Sequence, residues 1–300
     1  MRYYIYMNLY IMKKFVYLSS IIILILFSGA KGTESKWITL LDTNLSKWEM
    51  YLSFPHKDGY KGLAPVNEKG ELLKPIGYNK NVNDVFTVIE ENGDPVLRIS
   101  GEIYGCVYTK ESFENYHLKL KVKWGTKKWV PRLNESKDSG ILYHSQGECG
   151  VDYWRSWMLS QEFQIIEQSM GDYWCIANSN IVIKALKEYD NQSYIYAQKG
   201  KLTSFGEGTI AGNFCKAGSN NELPGNNWNE LELITYGDKS LHIVNGKVVM
   251  ALSNSSYMDG ILKPLTKGKI QLQSEAAEVF FKDIRIKPIT KIPSEYVGYF

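Results

Sequence analysis

The sequence predicts an all-β fold, a two-sheet antiparallel sandwich with long loops. Three observations carry this. After Lys36 the chain consists of short alternating runs rich in Val, Ile, Tyr, Phe and Trp, turns of Gly, Asn, Asp and Ser separate them, and long helical periodicity is missing. Sandwiches of this length commonly form one domain, so residues 31–300 are read as a single domain with its core over about 37–289.

The N-terminal region has a different pattern. Lys13 and Lys14 precede an apolar run through Ile21 to Phe27, and Ser28-Gly29-Ala30 follows. That order of charged, apolar and small residues predicts a signal peptide over 1–30, cleaved after Ala30, with Met12 as the true start. The apolar run is shorter than the roughly 20 residues that cross a bilayer, and no Cys follows Ala30 to accept a lipid. The expectation is a periplasmic or extracellular protein with no stable membrane anchor.

The formal charge of +3 includes Arg2, Lys13 and Lys14 of the leader, and the remaining charges are interspersed, which speaks against nucleic acid as a partner. Cys106, Cys149, Cys175 and Cys215 show no CxxC or Cys/His spacing. Pairing is allowed in an oxidising compartment, and three connectivities stay open, as does burial as thiols.

Strands are expected over 96–100, 117–124, 140–144, 162–166, 230–236, 240–244, 247–252, 269–274 and 279–287. Asn245-Gly246 between two apolar runs is the strongest hairpin signal, because a type I′ turn needs positive φ at both central residues. Residues 50–84, 125–139 and 189–227 read as long loops, and their aromatics favour packed binding loops over linkers.

Residues two apart on a strand share a face, which sorts the candidate chemistry. Phe163 and Ile165 face one way, Glu162 and Gln164 the other. Gln271, Gln273 and Glu275 repeat the pattern opposite Ile270 and Leu272. Such faces are either solvated or built for a sugar, whose hydroxyls match amides and carboxylates. His144 ends its run on the face of Leu142 and is either structural or an acid–base group. The segment Asp152, Tyr153, Trp154, Arg155 and Trp157, with Tyr173 and Trp174 beyond it, offers aromatic platforms and hydroxyl-binding charges, or else core filling. Lys110 alone reads as a surface charge.

In order along the chain, Trp37-Ile38-Thr39-Leu40-Leu41-Asp42, Tyr108-Thr109-Lys110, Asp138-Ser139-Gly140-Ile141-Leu142-Tyr143-His144, Glu162-Phe163-Gln164-Ile165-Ile166-Glu167, Val244-Asn245-Gly246-Lys247 and Ile270-Gln271-Leu272-Gln273-Ser274-Glu275 resemble the 3-keto-disaccharide hydrolase family. Its members are also described as 3-keto-glucoside lyases or 3-keto-glucal hydratases. The resemblance implies a jelly roll of the concanavalin A-like lectin/glucanase type and cleavage of 3-keto-glycosides by elimination and hydration, or net hydrolysis. The assigned roles are Glu162 as base, His144 as acid or alternate base, Lys110 or Gln164 as donor to the enolate oxygen, and Glu275 as orienting group. Ser139, Gln164, Asp152, Trp154, Arg155, Trp157, Tyr173, Trp174, Gln271 and Gln273 are the expected substrate contacts.

No cofactor is expected, although a divalent cation held by Asp and Glu stays open. A separate sugar 3-oxidoreductase is implied as the source of the ketone. Three alternatives remain: a direct glycosidase using Glu162 and Glu275 about 5–10 Å apart, a lectin-like carbohydrate-binding module, and a partner-binding module.

Overall fold

Alternating burial drives the assembly. Along Tyr116–Lys128, Tyr116, Leu118, Leu120, Val122 and Trp124 are buried while the residues between them are half-buried, so one face seeks a core and the other water. The computed structural model describes residues 36–58, 65–151, 156–189 and 192–300, and the expected leader lies outside them. Lys36–Phe300 forms one compact unit. Among the described residues no helix is long and apolar enough to cross a membrane.

Among the described residues twenty strands follow one another: β1 (Ile38–Thr39), β2 (Trp48–Leu52), β3 (Gly77–Tyr78), β4 (Phe86–Glu91), β5 (Asp94–Ile99), β6 (Gly105–Thr109), β7 (Tyr116–Lys128), β8 (Asp138–Gln146), β9 (Leu159–Ile166), β10 (Tyr173–Ile176), β11 (Ser179–Lys187), β12 (Tyr194–Tyr196), β13 (Lys201–Gly206), β14 (Phe214–Cys215), β15 (Asn229–Tyr236), β16 (Lys239–Val244), β17 (Lys247–Asp259), β18 (Ile261–Pro264), β19 (Lys269–Ser274) and β20 (Ala277–Pro288). The larger sheet runs β12-β11-β17-β16-β15-β7-β20-β5-β4, with β1, β13 and β18 paired at its side. The smaller runs β14-β10-β9-β8-β19-β6-β2-β3. The strand pairings within both sheets are antiparallel, and the two form the expected sandwich.

The core lies between the sheets. Leu118, Leu120, Val122 and Phe281 from the larger sheet meet Ile141, Phe163, Ile165 and Leu272 from the smaller. Each such side chain contributes about 1.5–3 kcal/mol on leaving water. Asn245 and Gly246 have φ of 49° and 75° and join β16 to β17, as their sequence demands.

The expected loops are corrected in part. Residues 189–227 contain β12, β13 and β14, and residues 50–84 contain the end of β2 and β3. β13 was hidden because Leu202 points to solvent on an exposed strand, leaving little apolar alternation to read. All four cysteines are buried thiols, with Cys106 Sγ 3.9 Å from Cys149 Sγ.

Candidate active site

The outer face of the smaller sheet, turned away from the core, carries the polar residues. On β9, Phe163 and Ile165 enter the core and Glu162 and Gln164 emerge opposite, as parity requires. The strand pairings then set three rows across the sheet. Trp174, Glu162, Leu142 and Gln271 form one, Gln164 and Gly140 a second, and Ile166, Asp138 and Glu275 a third.

Gly140 is the low point between β9 and β19. A Cβ there would lie 2.3 Å from Glu162 Oε1 and 2.5 Å from Gln273 Oε1, closer than real contacts allow. The missing side chain lets the carboxylate and the amide converge over the backbone of β8. Both Gln273 amide atoms and Gln164 Oε1 are buried and have no hydrogen-bond partner among the described residues. Unpaired amides of this kind are available to a ligand's hydroxyl or carbonyl groups.

Arg132, from the connection between β7 and β8, closes one end. Its guanidinium lies 2.6 Å from Asp138 Oδ2 and 3.2 Å from Glu275 Oε1, and Gln164 Nε2 donates to Asp138 Oδ1 at 2.6 Å. Two buried carboxylates therefore share one cation. Burial, and then the charge of Glu275, push Asp138 well above the usual carboxylate range, with Arg132 opposing both. Burial raises Glu275 to about 7 against the pull of Arg132. The neighbouring carboxylates keep Arg132 charged despite its own burial. The pair thus holds a proton near neutrality, a property of the two groups together.

These groups line a cavity of about 340 Å³, within the range of small-ligand sites. Trp157 lines it, its Nε1 donating to Gly105 O, and Trp174 and Phe214, 5.0 Å apart, form an aromatic rim. Asp172, raised to about 6 by burial, also lines it. Among the described residues no group of three or more His, Cys, Asp or Glu could hold a metal ion.

Of the residues expected from sequence, the cavity brings together Glu162, Gln164, Glu275, Trp157 and Trp174, with Gln273 beside Glu162. Asp152, Trp154 and Arg155 lie outside the described residues. The other five are placed elsewhere.

His144 has φ of 56° at a register shift between Tyr143 and Gln146, so two-residue parity fails and its ring packs against Tyr116 and Tyr143 of the core. Burial lowers it to about 3, which leaves it neutral and unable to serve as the acid. Lys110 sits at the far end of β6, donating to Ser46 O. Ser139 faces inward and donates to Gln273 O. Tyr173 points into the core, where its hydroxyl donates to Gln161. Gln271 is on the outer face, yet its amide is consumed by Met158 N, Cys106 Sγ and Ser145 Oγ.

Arg132, Asp138, Asp172 and Asn213 were missed. Asp138 shares parity with Gly140 and was legible from that alone. Arg132 lies in a loop, where no periodicity points to it.

The family model described as 3-keto-alpha-glucoside-1,2-lyase-like domain matches residues 36–287. Among solved structures, a candidate glycosyl hydrolase of Parabacteroides distasonis is similar at 18% identity, covering 85% of this chain and 100% of that one, with a TM-score of 0.44. The carbohydrate-binding module CBM66 of Bacillus subtilis is similar at 8% identity over 67% and 91%, with a TM-score of 0.38. LamAcat of Zobellia galactanivorans is similar at 14% identity over 86% and 98%, also with a TM-score of 0.38. No curated protein matches the chain significantly. The family match spans nearly all of the described sandwich, and the chain belongs to the 3-keto-alpha-glucoside-1,2-lyase-like domain family.

Proposed function

We propose that the protein cleaves the glycosidic bond of 3-keto-glycosides, 3-keto-disaccharides above all, by elimination followed by addition of water. The observation that carries this reading is the convergence of Glu162, Gln164, Glu275 and Arg132 on one cavity, with Gln273 against Glu162.

A ketone at C3 acidifies the proton on C2. Glu162, as carboxylate, takes that proton; the electron pair forms a C1=C2 double bond and the C1–O bond breaks. Gln273, whose Nε2 has no hydrogen-bond partner among the described residues, donates to the C3 oxygen as negative charge gathers there. Glu275, which holds a proton near neutrality, passes it to the departing oxygen. Arg132 fixes Glu275 and balances the charge left behind. Water adding across C1=C2 completes a net hydrolysis. The roles first expected of His144 and Lys110 thus pass to Glu275 and the amides. The ketone itself comes from a separate oxidoreductase, and export past residue 30 belongs to the same reading.

Replacing Glu162 with Gln is the test. Turnover of a 3-keto-glucoside falls by about 100-fold or more in a variant that melts like wild type. Near wild-type turnover removes Glu162 from the scheme. Cleavage of an unmodified disaccharide by the wild type favours the direct glycosidase, and binding without turnover favours the lectin-like module.

A further inference from the structure

A second cavity, of about 710 Å³, opens beside the first. Gln146 and Glu148 line it from the end of β8 and the loop beyond, Asn178 from the turn between β10 and β11, Glu207 from the turn just after β13, and Tyr257 from β17. Asn213 lines both cavities and is the residue where they meet. Its carbonyl accepts from Cys175 N at 2.9 Å, which ties its backbone to β10. Its Oδ1 is buried without a hydrogen-bond partner among the described residues. An acceptor left open at the junction of two cavities suits a hydroxyl that spans them.

The lining chemistry narrows the ligand. Two amides besides Asn213, two carboxylates and a phenol offer many acceptors, and the described lining contains no Lys, Arg or His. Sugar hydroxyls supply the matching donors. An anionic group would meet Glu148 and Glu207 with no described cation in the lining to offset them, which disfavours it.

We infer that this second cavity is the subsite for the group on the leaving side of the scissile bond, that it takes a neutral polyhydroxylated group such as a further sugar, and that it disfavours uronates and other anions. The inference rests on the proposed cleavage in the first cavity, and its test keeps the two apart.

Three 3-keto-glucosides are compared, with methanol, glucose or glucuronate as the leaving group, in wild type, in Glu207→Lys and in Asn213→Ala. Glu207 is exposed, so its replacement leaves the core untouched. With the wild type, KM is lowest for the glucose compound and higher for the glucuronate compound by about fivefold, the scale of one exposed charge interaction. Glu207→Lys narrows or reverses that preference between the glucose and glucuronate compounds. Asn213→Ala raises KM for the glucose compound.

Equal KM for all three leaving groups, or a preference that Glu207→Lys leaves intact, overturns the subsite. If none of the three is turned over, the cleavage reading fails, and calorimetric binding of unmodified glucosyl-glucose and glucosyl-glucuronate decides the cavity. Tighter binding of the neutral sugar, lost in Glu207→Lys, supports it as a binding site, and equal or absent binding overturns it.

Discussion

At the scale of single residues, the Asp138–Glu275 pair makes the site sensitive to pH. Glu275 is raised from 4.5 to about 7, so between those values the folded protein holds a proton that the unfolded chain has lost. Its contribution therefore falls as pH rises through that window, by up to about 1.4 kcal/mol per pH unit. In the proposed cleavage this proton is the one passed to the leaving group. The rate should decline above about pH 7, and Glu275→Gln should lower the rate while abolishing that alkaline limb; a pH profile unchanged in shape would count against Glu275 as the acid. Gly140→Ala should reduce turnover by about 100-fold by displacing Glu162 and Gln273, with little change in melting temperature. Glu162 and Gln164 were legible in the sequence because β9 runs through them without irregularity. His144 was not, since a register shift turns its ring to the other face, and no local pattern announces that shift.

Among the elements, the β16–β17 hairpin was the most legible and its turn does more than reverse the chain. Asn245 Oδ1 accepts from Glu230 N at 2.9 Å, and its Nδ2 donates to Asn221 O and Asn229 Oδ1, both at 2.8 Å. One side chain thus ties the turn to β15 and to the segment before it. Asn245→Ala loses three hydrogen bonds and the tolerance for positive φ, and should destabilise by about 1–3 kcal/mol in urea titration with activity per folded molecule retained. The small strands β12, β13 and β14 were illegible for the opposite reason. They are short and partly exposed, and pairing with β11 or β10 defines them more than their own composition does.

Across the whole molecule, the two-sheet core follows from sequence alone because period-two burial recurs along most of the long strands. The polar groups inside that core were not foreseeable. His242 stacks on Phe163 with ring centroids 4.2 Å apart, its Nδ1 hydrogen-bonds Gly171 O, and burial lowers it to about 3. His144 is lowered similarly. Both stay neutral when folded but take protons near 6.5 when unfolded, so their stabilisation is full above 6.5 and is lost as pH falls towards 3. Over the same window the raised carboxyl groups of Asp138, Asp172 and Glu275 act with the opposite sign, so the test is a comparison: from pH 6.5 to pH 4.5 the urea midpoint of His242→Phe should fall less, or rise more, than that of the wild type, and an identical pH dependence would mean the ring is not held neutral.

The alternation along β9 has a consequence for how this protein can change. Phe163 and Ile165 hold the sheets together while Glu162 and Gln164 line the cavity, and the backbone separates the two sets. Substitutions on the ligand side leave core volume untouched, so substrate preference can drift at those positions without a stability penalty from the core. Variation in the core can likewise accumulate without reshaping the pocket floor, which makes this strand a natural place to begin redesigning specificity.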